Sequence, residues 1–97
     1  MKLYRDEHND PRAEADGDLA ILAAYLESDV QDDKEAAIEL LQFLERKHGE
    51  RIGNAYSITF DDKYVSIEPL HDAEGAQKIG RNIFFQAVEA WIVFISD

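Results

Sequence analysis

The sequence predicts an α+β fold: an antiparallel sheet centred on a hairpin at residues 54–68, packed against two amphipathic helices at about 33–48 and 83–95. Three observations predict it. Between Asn54 and Glu68, two runs of alternating apolar and polar residues flank a short acidic turn, the pattern of a hairpin. Before them, Ala37, Leu40, Leu41 and Leu44 recur at the spacing of one helix face. After them, Phe84, Val88, Trp91 and Ile95 do the same. A two-stranded ribbon is unstable alone, so its apolar face requires a cover, and the helices supply one. The 97 residues show no linker, repeat or low-complexity tract, and residues 1–97 read as a single domain.

Taken in order, Lys2 to Arg5 reads as a short strand, His8 to Pro11 as a turn, and Arg12 to Ala15 as the returning strand. Asp16 to Asp18 is a loop. Leu19 to Ser28 has two readings. Leu19, Leu22 and Leu26 fit a helical stripe, while Leu19, Ile21, Ala23 and Tyr25 fit a strand face; the Leu and Ala content favours the helix. Asp29 to Asp33 is an acidic connector. Asp33 suits an N-cap, and Glu35 falls in the first turn, where the helix dipole favours negative charge. Arg46, Lys47 and His48 fill the last turn, and Gly49 supplies the stop.

Glu50 to Gly53 leads into the hairpin. With Asp61 and Asp62 as its loop, Phe60 faces Lys63, Ile58 faces Val65 and Tyr56 faces Ile67. Tyr56, Ile58, Val65 and Ile67 then share one apolar face, and Ser57, Thr59, Tyr64, Ser66 and Glu68 lie on the wetter one. Pro69 ends the second strand. Leu70 to Gly80 reads as a long loop, either mobile or a contact surface. Asn82 caps the last helix, Ile83 to Ile95. A buried strand over Trp91 to Ile95 is the rival reading, but a helix there covers the hairpin.

Twenty-one acids against ten bases give a net charge of −11. Such a chain is repelled by nucleic acid and by anionic membranes and drawn to basic partners; the plainer reading is charge that only keeps the protein dispersed. With no cysteine there is no disulfide framework and no thiolate metal site, which fits a reducing cytoplasm. The first residues have no apolar core of a signal peptide. The apolar run from Ile83 to Ile95 is shorter than the roughly 20 residues that span a bilayer. The expectation is a cytoplasmic protein without membrane contact.

Catalytic patterns are sparse. His8, His48 and His71 lack the four-residue spacing of a helical metal pair. His71 and Asp72 form an acid–base pair only if a pocket encloses them. Gly75 and Gly80 lack phosphate-loop spacing, and the acidic runs lack the Gly and Glu of a calcium loop. No enzyme activity, metal or cofactor is expected. Tyr64 stands apart, an aromatic on the wetter hairpin face, either a partner anchor or covered by the N-terminal strands.

Tyr25 to Val30 before an amphipathic helix, then Gly53 to Ile58, the strand Tyr64 to Ile67 and the helical Glu89 to Ile92 resemble, over residues 20–96, two related groups of small bacterial proteins. One is the YacL family, acidic proteins of unknown role. The other comprises immunity proteins of polymorphic-toxin and contact-dependent inhibition systems, which neutralise a cognate toxin domain, often a nuclease. The resemblance implies neutralisation of a basic toxin domain by tight binding, with a YacL-like housekeeping role as the alternative. The expected binding edge is built from Asp29, Asp32, Asp33 and Glu35, or from Asp61, Asp62, Glu68, Asp72 and Glu74, with Tyr64 as anchor. The apolar last helix adds an expectation of weak homodimerisation.

Overall fold

The structure is a computed structural model and describes residues 1–46, 48–71 and 75–96. Strands β1 (Lys2–Arg5) and β2 (Pro11–Glu14) form a two-stranded antiparallel sheet. A single 3-10 turn then leads into α1 (Ala20–Tyr25), which continues as a wider π-helical turn over Leu26–Val30. After α2 (Lys34–Leu44) come β3 (Gly49–Ile52), β4 (Tyr56–Phe60), β5 (Tyr64–Pro69) and β6 (Gln77–Gly80), and α3 (Arg81–Ile95) closes the fold. The second sheet has the order β3-β4-β5-β6, antiparallel throughout. The fold is therefore α+β, and residues 19–28 are helical for most of their length.

One face of the four-stranded sheet holds the core. Ile58 and Phe60 from β4, Val65 and Ile67 from β5, and Ile79 from β6 are buried against Leu22, Tyr25 and Leu26, and against Phe84, Val88 and Trp91 of α3. Each such side chain contributes about 1.5–3 kcal/mol on leaving water. The sheet is covered by α1 and α3, and α2 packs mainly on α3. The C-terminal end of α2 reaches the sheet through Phe43, whose ring meets Phe60 edge-on at a centroid distance of 5.0 Å. The expected pair of covering helices is thus corrected: α1, with its π-helical extension, is a full core element.

Several boundaries also differ from the sequence reading. α2 ends at Leu44, not His48, and Gly49 opens β3 instead of stopping the helix. Glycine at 49 serves a close approach, since a Cβ there would lie 3.0 Å from both the Phe43 and Phe60 rings. β3 and β6 replace the expected lead-in at 50–53 and part of the expected loop at 70–80. Each buries at most one apolar side chain, so neither shows the apolar alternation of a core strand.

The hairpin register is shifted by two. Asp62 and Lys63 form the loop, Asp61 N–H donates to the Tyr64 carbonyl at 3.0 Å, and Ile58 faces Ile67 while Phe60 faces Val65. A two-residue shift preserves which face each side chain occupies, so the apolar set stays together. The Asp61 side chain drives the shift by accepting from the N–H groups of both Lys63 and Tyr64 at 2.8 Å. α3 begins at Arg81 with Gly80 at its N-cap and no side-chain cap, so Asn82 is not the cap. Its first N–H continues the sheet instead, donating from Arg81 to the Lys63 carbonyl at 2.9 Å.

A candidate partner-binding surface

All three helices lie on one side of the four-stranded sheet, which leaves its other face open. The strand registers lay out that face. Glu50, Thr59, Ser66 and Lys78 form one row across all four strands, and Ile52, Ser57 and Glu68 form the next. Tyr64 stands at the end where β4 turns into β5, 46% exposed, with the Lys78 ammonium 5.5 Å above its ring. The N-terminal hairpin packs on α1 and the π-helical turn, so it does not cover Tyr64. Ile52 is 67% exposed at the far end of the same face. The centre is flat and small-chained, with a depression of about 150 Å³ between Thr59, Asp61, Tyr64, Ser66 and Lys78.

The expected site residues separate on folding. Asp29 is half-buried and turned inward, accepting from the N–H groups of Ala55 at 2.9 Å and Tyr56 at 3.0 Å. Gly53 makes room for it, because a Cβ there would overlap the Asp29 carboxylate. Asp33 caps α2 by accepting from the Ala36 N–H at 3.0 Å. Asp32 and Glu35 are exposed beside it. Asp61 and Asp62 sit at the β4–β5 turn, whereas Glu68 pairs across to Ser57 near the start of β4. These three acids therefore occupy opposite ends of the hairpin and do not form one edge. Asp72 and Glu74 lie outside the described residues.

Two backbone N–H groups stabilise the ionised Asp61 carboxylate and hold it below the usual range. Asp6 is lowered in the same way, first by the Asp10 N–H at 3.0 Å. Burial pushes the Tyr25 phenol up to about 12. His71 is exposed, and its expected partner Asp72 lies outside the described residues. Among the described residues no three His, Cys, Asp or Glu side chains converge as a metal ion would require. No helix of the described residues is long and apolar enough to cross a membrane.

The sequence reading missed Glu50, Ile52 and Lys78, because they belong to the two strands it did not detect. Alternation of Glu50 and Ile52 across Arg51 was the one available signal, and it is too short to separate from a loop.

The distribution of charge is the most unusual feature of the surface. Every described acid except Asp6, Glu27 and Asp29 is exposed. Among the described residues the one Lys or Arg ion pair is Arg12 to Glu27, at 3.3 Å. The cations are elsewhere: Lys2, Arg5, Arg46, Lys78 and Arg81 lie over the rings of Tyr4, Phe94, Phe43, Tyr64 and Phe60, at 5.3–5.8 Å. Half of the ten bases thus rest on aromatic faces, and among the described residues few carboxylates form a direct ion pair. No protein-family model, no curated protein and no solved structure matches the chain.

Proposed function

We propose that this chain is an immunity protein that neutralises a cognate bacterial toxin domain, a basic nuclease, by one-to-one binding through its acidic surface. The observation that carries the reading is the exposed and largely unpaired set of carboxylates on a chain of net charge −11. A nuclease must present cationic groups to grip phosphates, and a dense carboxylate surface competes for those groups. Opposite fields also speed encounter, which matters when the toxin must be caught before it cuts. The open sheet face adds what charge lacks: Tyr64 and Ile52 as apolar anchors, bordered by Asp61, Asp62, Glu50 and Glu68.

The test is capture of partners by the intact chain from lysate of the source cell, at low and then high salt, followed by identification and a nuclease assay. The reading expects a basic toxin domain, inhibited stoichiometrically and held less tightly as salt rises. Changing Asp61 and Asp62 to Asn and Glu68 to Gln should weaken binding and flatten its salt dependence. A cognate toxin held equally at both salts would keep neutralisation and remove charge as its driver. Failure to retain any toxin would overturn the reading.

A further inference from the structure

We propose that the free edge of β3 takes up an extended segment of a partner protein as an added strand, and that this segment carries an apolar, then an acidic, then a basic residue. The inference does not rest on the immunity reading. Of the two edges of the four-stranded sheet, β6 runs beside the 3-10 turn at Gly17–Leu19, whereas β3 packs closely on β4 alone among the described residues. The ladder fixes which backbone groups of β3 are free. The Gly53 N–H donates to the Tyr56 carbonyl at 2.8 Å, and in the same register Arg51 faces Ile58 and Gly49 faces Phe60. Hydrogen-bonded pairs alternate along an antiparallel ladder, so Arg51 and Gly49 bond to β4 and the N–H and C=O groups of Glu50 and Ile52 point outward. Those groups have no partner among the described residues. Such a row is a template for another strand.

A groove lies beside this edge. α2 packs mainly on α3 and stands away from β3, and two adjoining clefts of about 250 and 280 Å³ open between them. Leu40 and Ile52 border the first, Glu39 and Phe43 border the second, and Arg51 lines both. Arg51 is half-buried, and among the described residues its guanidinium has no ion pair, no hydrogen-bond acceptor and no aromatic ring beneath it. The Asp29 carboxylate in the first cleft is already taken by the N–H groups of Ala55 and Tyr56. A guanidinium partly withdrawn from water and left unmatched favours an incoming carboxylate.

The register turns this geometry into a sequence. A strand antiparallel to β3 places one residue opposite Arg51, its side chain on the same helix-facing side and the Cβ atoms about 5 Å apart. An acid there pairs with the guanidinium. The residue before it lies beside Ile52 on the outer face, where an apolar side chain covers a residue 67% exposed. The residue after it lies beside Glu50, where a base meets the carboxylate. A second copy of β3 fits poorly. Centred on Arg51, two copies oppose guanidiniums, and centred on Glu50 they oppose carboxylates. Centred on Ile52, half of β3 lies against Gly53 and Asn54, which are outside the strand.

Blocked peptides with Val-Glu-Lys at the centre and Thr on either side, titrated to about 2 mM into the full chain, test the proposal through amide hydrogen exchange. Glu50 and Ile52 should exchange at least about tenfold more slowly at saturation, while Arg51, already bonded to Ile58, should not change. The charge-swapped Val-Lys-Glu peptide should bind at least about tenfold more weakly. Arg51→Glu should lose Val-Glu-Lys and gain Val-Lys-Lys, a rescue that a folding defect does not produce. Ile52→Pro removes one outward N–H, spares the bonds to β4 and should abolish binding, with circular dichroism as the check on the fold. No slowing at Glu50 and Ile52 overturns the proposal, as does equal binding of the charge-swapped peptide. Slow exchange of these two amides in the free chain, increasing with protein concentration, also overturns it by placing a second copy on the edge.

Discussion

The indole N–H of Trp91 donates to the carbonyl oxygen of Gln31 at 2.6 Å, joining residues 60 apart in sequence. Gln31 ends the π-helical turn, where its own N–H reaches back to the Leu26 carbonyl at 2.8 Å. Its backbone, at φ 55 and ψ −140, lies in a region that favours glycine. That strained geometry aims the carbonyl inward, where the fully buried Trp91 satisfies it. Trp91→Phe removes the donor and leaves a void, so it should cost about 2–3 kcal/mol. For a domain of this size the thermal midpoint should fall by roughly 10–20 °C, followed by far-ultraviolet circular dichroism.

Gln31→Gly should act in the opposite direction. The carbonyl remains, while the positive φ no longer opposes a side chain. A gain of about 1 kcal/mol is expected in urea unfolding, less the small loss of the Gln31 amide bond to the Ser28 carbonyl at 2.8 Å. A loss of stability would show that the backbone strain is not borne by Gln31.

Asp29 fastens the π-helical turn to the start of β4, and its two N–H donors are left unpaired in Asp29→Ala. That variant should lose about 2–3 kcal/mol because the site is half-buried. Asp32→Ala, three residues on and exposed, should change stability by less than about 0.5 kcal/mol. Chemical denaturation of the pair separates a structural carboxylate from a surface one.

Tyr25 makes folding stability fall at alkaline pH. Its phenol is raised from 10.0 to about 12 in the folded protein, first by burial and then by Asp29, against an opposing influence of Arg51. The unfolded chain therefore loses this proton before the folded one. The contribution is full below pH 10 and is lost as pH rises from there toward 12. Tyr25→Phe should leave neutral stability nearly unchanged and flatten the alkaline limb, by about 2 kcal/mol at its extreme. Denaturation series between neutral pH and the alkaline limb, run on both proteins, measure the difference.

Arg81 ties three elements together. Its guanidinium donates to the Asp61 carbonyl at 2.8 Å and the Arg46 carbonyl at 2.9 Å, and lies over the Phe60 ring at 5.3 Å. Lys carries the charge but not the planar fork, so Arg81→Lys should cost about 1 kcal/mol and Arg81→Ala about 2. Native-state hydrogen exchange should show the loss first in the Asp61–Tyr64 turn and the first turn of α3. Uniform destabilisation across the chain would count against a local staple.

Local chemistry alone determined a good part of this protein. The alternation from Tyr56 to Ile67 set which side chains face the core, and it survived a two-residue error in register because strand faces repeat every two residues. Asp33 and the stripe from Ala37 to Leu44 placed α2, and Phe84, Val88 and Trp91 placed the buried side of α3. Tertiary structure decided the rest. β3 and β6 exist because β4 and β5 offer them hydrogen-bonding edges; one buried Ile79 or an exposed Ile52 makes no periodic signal. Whether Asp29 faces solvent or the core depended on where the N–H groups of Ala55 and Tyr56 came to rest, 26 and 27 residues away. Composition fixed the −11 charge, but only folding laid cations over rings that lie far from them in sequence, as with Arg5 on Phe94 and Arg81 on Phe60.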